Sequence, residues 1–272
     1  MKKHIGFCFV AVLMFGLVEF GTAGPIESAS ETRSGSQTGA GHELFTAILA
    51  AHVRDGRVDY PKLCEDPRLS DYIDQLSSTD PEEIVDENER LAFWLNAYNA
   101  FTLKIICDNY PLKSINDLHF GGLVLGTALK KTVWDKEFIV INGEKMSLNH
   151  IEHDVVRPRF GDPRAHFALV CASVSCPPLR SEAYEGHRLD EQLDDQARVF
   201  FSERDKNYFD AENKEAHLSK ILDWYSKDFG DNKREVLLYV SNYLPKDLAL
   251  KIQEDPGAWT VKHTKYDWNL NE

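Results

Sequence analysis

The chain reads as an α+β protein: one helix-rich domain built around a small central sheet. Three observations carry that reading. Residues 87–109 set Leu91, Trp94, Leu95, Tyr98, Thr102, Ile105 and Ile106 in one stripe at helical spacing, and Pro111 closes the segment. Shorter segments repeat that spacing in both halves of the chain. Between them lie brief apolar runs bounded by turn residues, at 132–141 before Asn142-Gly143 and at 166–170.

The first residues stand apart from this pattern. Lys2 and Lys3 precede an apolar run over 5–18, and Gly21 and Ala23 stand two apart behind it. That is the arrangement of a secretory signal peptide cleaved after Ala23 or Gly24, too short and too early to favour a membrane span. Residues 24–40 hold mostly Ser, Thr, Gly and Glu and are expected to form a flexible tether, because they have nothing to bury. The globular domain is therefore expected over 41–272, in an exported protein of the periplasm or the extracellular space.

In chain order, 42–53 carries a helical stripe through Leu44, Phe45, Ile48, Leu49 and Val53, ended by Gly56. Residues 57–60 look extended. Leu69, Tyr72, Ile73 and Leu76 mark a second helix, and 87–109 is the third. Gly121, Gly122 and Gly126 fall in an apolar segment without the spacing of a nucleotide loop. Residues 132–141 are expected to form a long strand or a strand pair. Ser147 caps a helix that reaches Arg157, stopped by Pro158. Residues 166–170 are expected as a buried strand and 188–204 as an amphipathic helix. Helices follow at 221–229, 235–243 and 246–253, with a final extended segment over 259–268.

With 31 Lys and Arg against 44 Asp and Glu, the chain carries a charge of −13 spread along its length. A solvated acidic surface argues against nucleic acid or anionic lipid as a partner. The expected partner is a small-molecule or peptide-like substrate; oligomeric state is not legible, and no cofactor is implied.

Four of the five cysteines lie beyond the leader. Cys64 and Cys107 stand in unremarkable helical or loop contexts and are read as structural. Cys171 and Cys176 sit five apart in HFALVCASVSCPPL. A thiol nucleophile must ionise. Cys176, followed by Pro177-Pro178, is the better candidate if it caps a helical turn whose dipole lowers its pKa, while Cys171 at a strand end is the substitute. A Cys171–Cys176 disulfide and plain packing remain open alternatives.

A base is also required. His150, His153 and Arg157 share one face of the capped helix, with Asp154 adjacent, so His153 is the expected base and His166 a second choice. Asp154, Asn96 or Asn99 would orient the base or shape an oxyanion site. Glu152 points about 100° from His153, which makes direct pairing of the two difficult. Asn96 and Asn99 interrupt a helix that otherwise looks buried, and buried amides need partners. A metal site on His150 and His153 with a third ligand from His166, Cys171 or Cys176 is a further reading, although the spacing matches no familiar zinc motif. No metal is assigned.

LAFWLNAYNAFTL, SLNHIEHDVVRPRF, HFALVCASVSCPPL, ILDWYSKDF and the terminal YDWNLN together resemble the domain of unknown function 547 family, in the form of its exported bacterial members. The resemblance maps onto Trp94, Asn96, Tyr98 and Asn99, onto Glu152, His153 and Arg157, and onto His166, Cys171, Ser175, Cys176 and Pro177. Cys176 is the expected nucleophile with Cys171 as its substitute, His153 the expected base, and Glu152 the fourth member of the expected catalytic set. Asn96, Asn99, Trp94, Tyr98, Arg157 and His166 would then contact substrate. From those residues the expected activity is a cysteine hydrolase or acyltransferase acting on an amide or thioester, in a fold that is papain-like or transglutaminase-like by analogy. The competing expectation is an exported binding module without catalysis.

Overall fold

The computed structural model describes residues 41–119 and 132–272, so the leader, the tether and the glycines at 121, 122 and 126 lie outside the described residues. The chain is α+β and helix-rich. Its strands form three small sheets rather than one central sheet: β1 (Val53–Arg54) with β2 (Arg57–Val58), β3 (Ile139–Ile141) with β4 (Glu144–Met146), and β5 (Tyr208–Asp210), β6 (Glu215–Leu218) and β7 (Thr260–His263) together.

Helix α1 (Glu43–His52) buries Phe45, Ile48 and Leu49. It ends in a hairpin and not at a glycine stop, because Asp55 and Gly56 both take positive φ, 51° and 76°, as a tight two-residue turn demands. A Cβ on Gly56 would also collide with Pro178, so this turn braces the cysteine loop. The short α2 (Tyr60–Leu63) leads to Cys64, which is disulfide-bonded to Cys107. That pairing was not anticipated, since nothing local to either cysteine points to the other.

Helix α3 (Arg68–Ser78) packs on α4 (Glu87–Cys107), the longest helix. Asp86 caps α4 by accepting the Glu89 N–H at 2.9 Å. Almost every side chain from Leu91 to Ile106 is buried, so α4 is surrounded, and its expected stripe is only one of several apolar faces.

The β3–β4 hairpin turns at Asn142 and Gly143, both at positive φ, with Ile139 opposite Met146. Only its end matches the strand expected over 132–141, where Val133–Asp135 is a 3-10 turn. The next helix starts where Ser147 accepts the His150 N–H at 3.1 Å, widens to a π-helix over His150–Val156 and continues as α5 (Arg157–Phe160). Pro158 does not end it. Proline lacks an N–H and crowds the carbonyl four residues back, a conflict that the wider turn relieves.

Residues 166–170 are not a strand. Ala165–Ala168 forms one helical turn, α6. An apolar run this short has no period that separates buried helix from buried strand. Phe167 belongs to a second core, with Phe200 and Phe201 of α7 (Leu189–Ser202) and the three-stranded sheet, while its neighbours Ala165 and Ala168 belong to the core around α4. Helix α6 thus lies on the seam between the cores.

Strand β5 and its hairpin partner β6 were not expected from the sequence. Strand β6 pairs parallel with β7, and the intervening chain forms α8 (Ile221–Trp224), α9 (Ser226–Phe229), α10 (Lys233–Ser241) and α11 (Lys246–Glu254). Where one helix was expected over 221–229, the chain breaks at Tyr225. The terminal residues then return across the molecule: Asn269 and Asp267 carbonyls accept the Val174 and Ser175 N–H groups at 2.8 and 3.2 Å, and the Asp267 N–H donates to Ser175 Oγ at 2.8 Å. The tail therefore holds the cysteine loop in place.

Candidate active site

A cleft of about 240 Å³ opens at the seam between the two cores. Tyr98 from α4, Glu152 from the π-helix, His166 from α6 and the Cys171 loop form one side. Trp224 and Tyr225, at the break between α8 and α9, line it with Tyr266 and Trp268 from the tail and Trp134.

The two cysteines have unequal surroundings. Cys176 is 3% exposed and accepts the Cys171 N–H at 2.9 Å. Burial pushes its thiol well above the ordinary range. No helical turn follows it, so the dipole argument for Cys176 fails. Cys171 is half-buried and in the cleft. Its thiol is pushed down to about 7, first by the hydrogen bond from Cys176 and then by Ser173, at 3.2 Å, and Tyr266, at 3.3 Å, against the opposing effect of burial. Burial holds Tyr266 above the usual phenol range, so it stays a donor. Ala172 follows at φ 58°, a left-handed conformation disfavoured for a residue with a Cβ, and strain of this kind clusters at functional sites. Both sulfurs are free thiols, and the Cys171–Cys176 disulfide is absent.

His166 meets Asp228 through Nε2 at 2.6 Å and stacks on Tyr225 with ring centroids 4.1 Å apart. With Nε2 donating to a carboxylate, Nδ1 is the acceptor and faces Glu152 at 3.9 Å. Burial lowers the His166 pKa, opposed by Asp228 and Glu152, so the ring is neutral near pH 7. Arg157 grips both oxygens of Asp228, at 2.7 and 3.0 Å, and holds that carboxyl below its usual range. An acceptor nitrogen facing a buried carboxylate is a place where one proton can reside.

His153, the expected base, is exposed. Its Nδ1 accepts from Arg157 at 2.9 Å, and it lines a separate surface groove with His150. Successive residues on a helix point apart, so Glu152 turns inward as His153 turns out. His153 and Cys176 do not share a cavity. The metal reading loses its geometry for the same reason. His150 pairs with Asp154 at 3.1 Å, and among the described residues no group of three His, Cys, Asp or Glu could hold an ion.

Asn96 and Asn99 do not line the cleft. Asn96 bonds both backbone groups of Tyr184, at 2.8 and 2.9 Å. Asn99 donates to the Ala168 carbonyl and accepts the Val170 N–H, each at 2.9 Å. Their amides are occupied in fixing the segments on either side of the cysteine loop. Trp94 is buried against Phe93, away from the cleft, and Arg157 acts through Asp228. Of the residues expected to touch substrate, Tyr98 and His166 do line the cleft. Asp228, Tyr225, Trp224, Tyr266, Trp268 and Trp134 were not singled out, although the first five lie inside ILDWYSKDF and YDWNLN.

A family model described as protein of unknown function, DUF547, matches residues 83–201. Over that stretch the chain is similar to the DUF547 family. No curated protein and no solved structure matches the chain. The DUF547 stretch contains Tyr98, Glu152, His166, Cys171 and Cys176, while the residues that complete the cleft from Ile221 onward lie outside it. Among the described residues no helix is long and apolar enough to cross a membrane.

Proposed function

We propose that this protein is a cysteine-dependent hydrolase or acyltransferase acting on an amide or thioester, with Cys171 as its nucleophile. The observation that carries this is the contrast between the sulfurs: Cys171 reaches an open cleft and ionises near pH 7, while Cys176 stays buried and protonated beside it. In the first step the Cys171 sulfur bonds to the substrate carbonyl carbon, and the carbonyl π pair moves onto oxygen. The proton that Cys171 gives up on ionising is held by the Glu152–His166 pair. The oxygen pair then re-forms the carbonyl as the bond from carbon to the departing nitrogen or sulfur breaks; the departing atom takes that proton, and a thioester remains on Cys171. Water or a second nucleophile attacks the thioester, gives its proton to the same pair and releases the acyl group, and the Cys171 sulfur recovers its proton. Tyr266 and Ser173, already beside the sulfur, donate to developing negative charge. The chemistry parallels papain-like and transglutaminase-like enzymes, with one departure: the nucleophile follows the short α6 and is not at the start of the long α4.

The test is covalent labelling by an activated acyl probe such as a thioester or acyl ketone. Cys171→Ala should abolish labelling and Cys176→Ala should retain it; labelling that survives Cys171→Ala refutes the reading.

A second reading is an exported binding module that becomes oxidised at this pair, whose two sulfurs are free thiols in the structure. Quantitative mass mapping of both thiols in protein isolated without reductant decides it. Export itself is proposed from the leader-like first 23 residues and is supported by the Cys64–Cys107 disulfide, a bond typical of oxidising compartments. Sequencing the mature N-terminus tests it.

A further inference from the structure

The cleft is lined by one buried acid and a set of aromatic rings. Glu152 is only 7% exposed, yet the groups that meet it, the Tyr225 hydroxyl and His166 Nδ1 at 3.9 Å, carry no charge. Arg157 is near enough to feel Glu152, but its Nε and Nη2 are committed to Asp228. No Lys or Arg is among the described residues lining the cleft. Buried carboxylates are ordinarily paired, because an unpaired one loses its hydration without compensation.

In the same cleft the aromatic rings pack on one another. Tyr266 and Trp268 centroids are 4.5 Å apart, Trp224 and Tyr266 4.8 Å, and Trp134 and Trp268 5.7 Å. Trp224 keeps 48% of its surface exposed. A large exposed indole at a cleft mouth costs stability unless something covers it. Ring faces attract cations, and an acid in the same cleft adds to that attraction. Anionic groups are disfavoured here by Glu152 and by the Cys171 thiolate.

We infer that the cleft recognises an ammonium group, so that the substrate is an amide or thioester with a primary or quaternary amine close to its reactive carbonyl. This rests on the proposed function only for the scissile bond; the ammonium site itself stands on Glu152 and the aromatic wall.

The experiment titrates the full protein with n-butylammonium and choline, each against its neutral counterpart, butan-1-ol and 3,3-dimethylbutan-1-ol, and against butyrate, at constant ionic strength. Tryptophan fluorescence reports binding without requiring a reactive Cys171, so failure of the catalytic proposal leaves this result readable. At least one cation should bind about tenfold or more tighter than its neutral counterpart, and butyrate should not bind. A response from choline alone assigns a quaternary headgroup, and one from butylammonium alone a primary amine. Glu152→Gln should remove most of the preference for charge. Trp224→Ala, a change at an exposed position that leaves the core intact, should weaken the cation and reduce the fluorescence response. Equal binding of cation and neutral counterpart, binding of butyrate, or no binding by either cation overturns the inference.

Discussion

Cys171 and Cys176 differ in acidity because burial raises one thiol while hydrogen-bonding neighbours lower the other. Cys176, buried beside the Leu169 carbonyl, holds its proton, and together with Ser173 and Tyr266 it lowers the Cys171 pKa. Spacing along the chain showed that two thiols were close, and nothing in it showed which would face solvent. The reading from a helix dipole chose Cys176, and the missing helical turn reverses the choice. Removing the Cys176 donor should therefore be felt at Cys171. In Cys176→Ala the midpoint of the pH dependence of Cys171 alkylation should rise from about 7 toward the ordinary thiol value of about 8.5. An unchanged midpoint would mean that Cys176 does not tune the site.

At the scale of elements, legibility follows period. Helices α1, α3, α4, α7 and α11 lie close to their expected places because their apolar residues recur at helical spacing over several turns. Helix α6 was misread as a strand because an apolar run of a few residues carries no period. The break at Tyr225 was invisible because it is imposed from outside: the ring packs on His166, and α9 delivers Asp228 to His166 and Arg157. The asparagines of α4 were legible as buried amides needing partners, but their partners were backbone and not substrate. Asn99→Ala should leave the Ala168 carbonyl and the Val170 N–H unsatisfied at a cost of about 2–4 kcal/mol. The denaturation midpoint should fall accordingly, and Cys171 alkylation should lose its distinct pH midpoint as the loop loosens. A midpoint near wild type would show that the amide is dispensable.

Across the whole molecule, the cleft is assembled from segments far apart in sequence, and the tail that supplies Tyr266 and Trp268 also pins the cysteine loop. That dependence explains why the aromatic half of the site escaped residue-by-residue reading, although its motifs were visible as blocks. The N-terminal helix is coupled to the same body through His42, which is buried with Nδ1 2.6 Å from the Tyr72 hydroxyl. Burial lowers its pKa to about 4. The folded state thus prefers the neutral ring, so this contribution is complete above the unfolded value of about 6.5 and is lost as pH falls through 4. Stability should decline by about 3 kcal/mol over that window, and His42→Gln should flatten the decline. Denaturation midpoints measured from pH 7.5 down to 4 check this; an equal slope in the variant would assign the loss to other groups.

The central claim is that Cys171 is the ionised, accessible nucleophile of the aromatic cleft. It is tested most directly by peptide mapping of wild-type protein after brief treatment with iodoacetamide or the acyl probe, from pH 5 to 9. Modification at Cys171 should rise through a midpoint near 7 while Cys176 stays unmodified. Modification first at Cys176, or at neither cysteine until the protein unfolds, would contradict it.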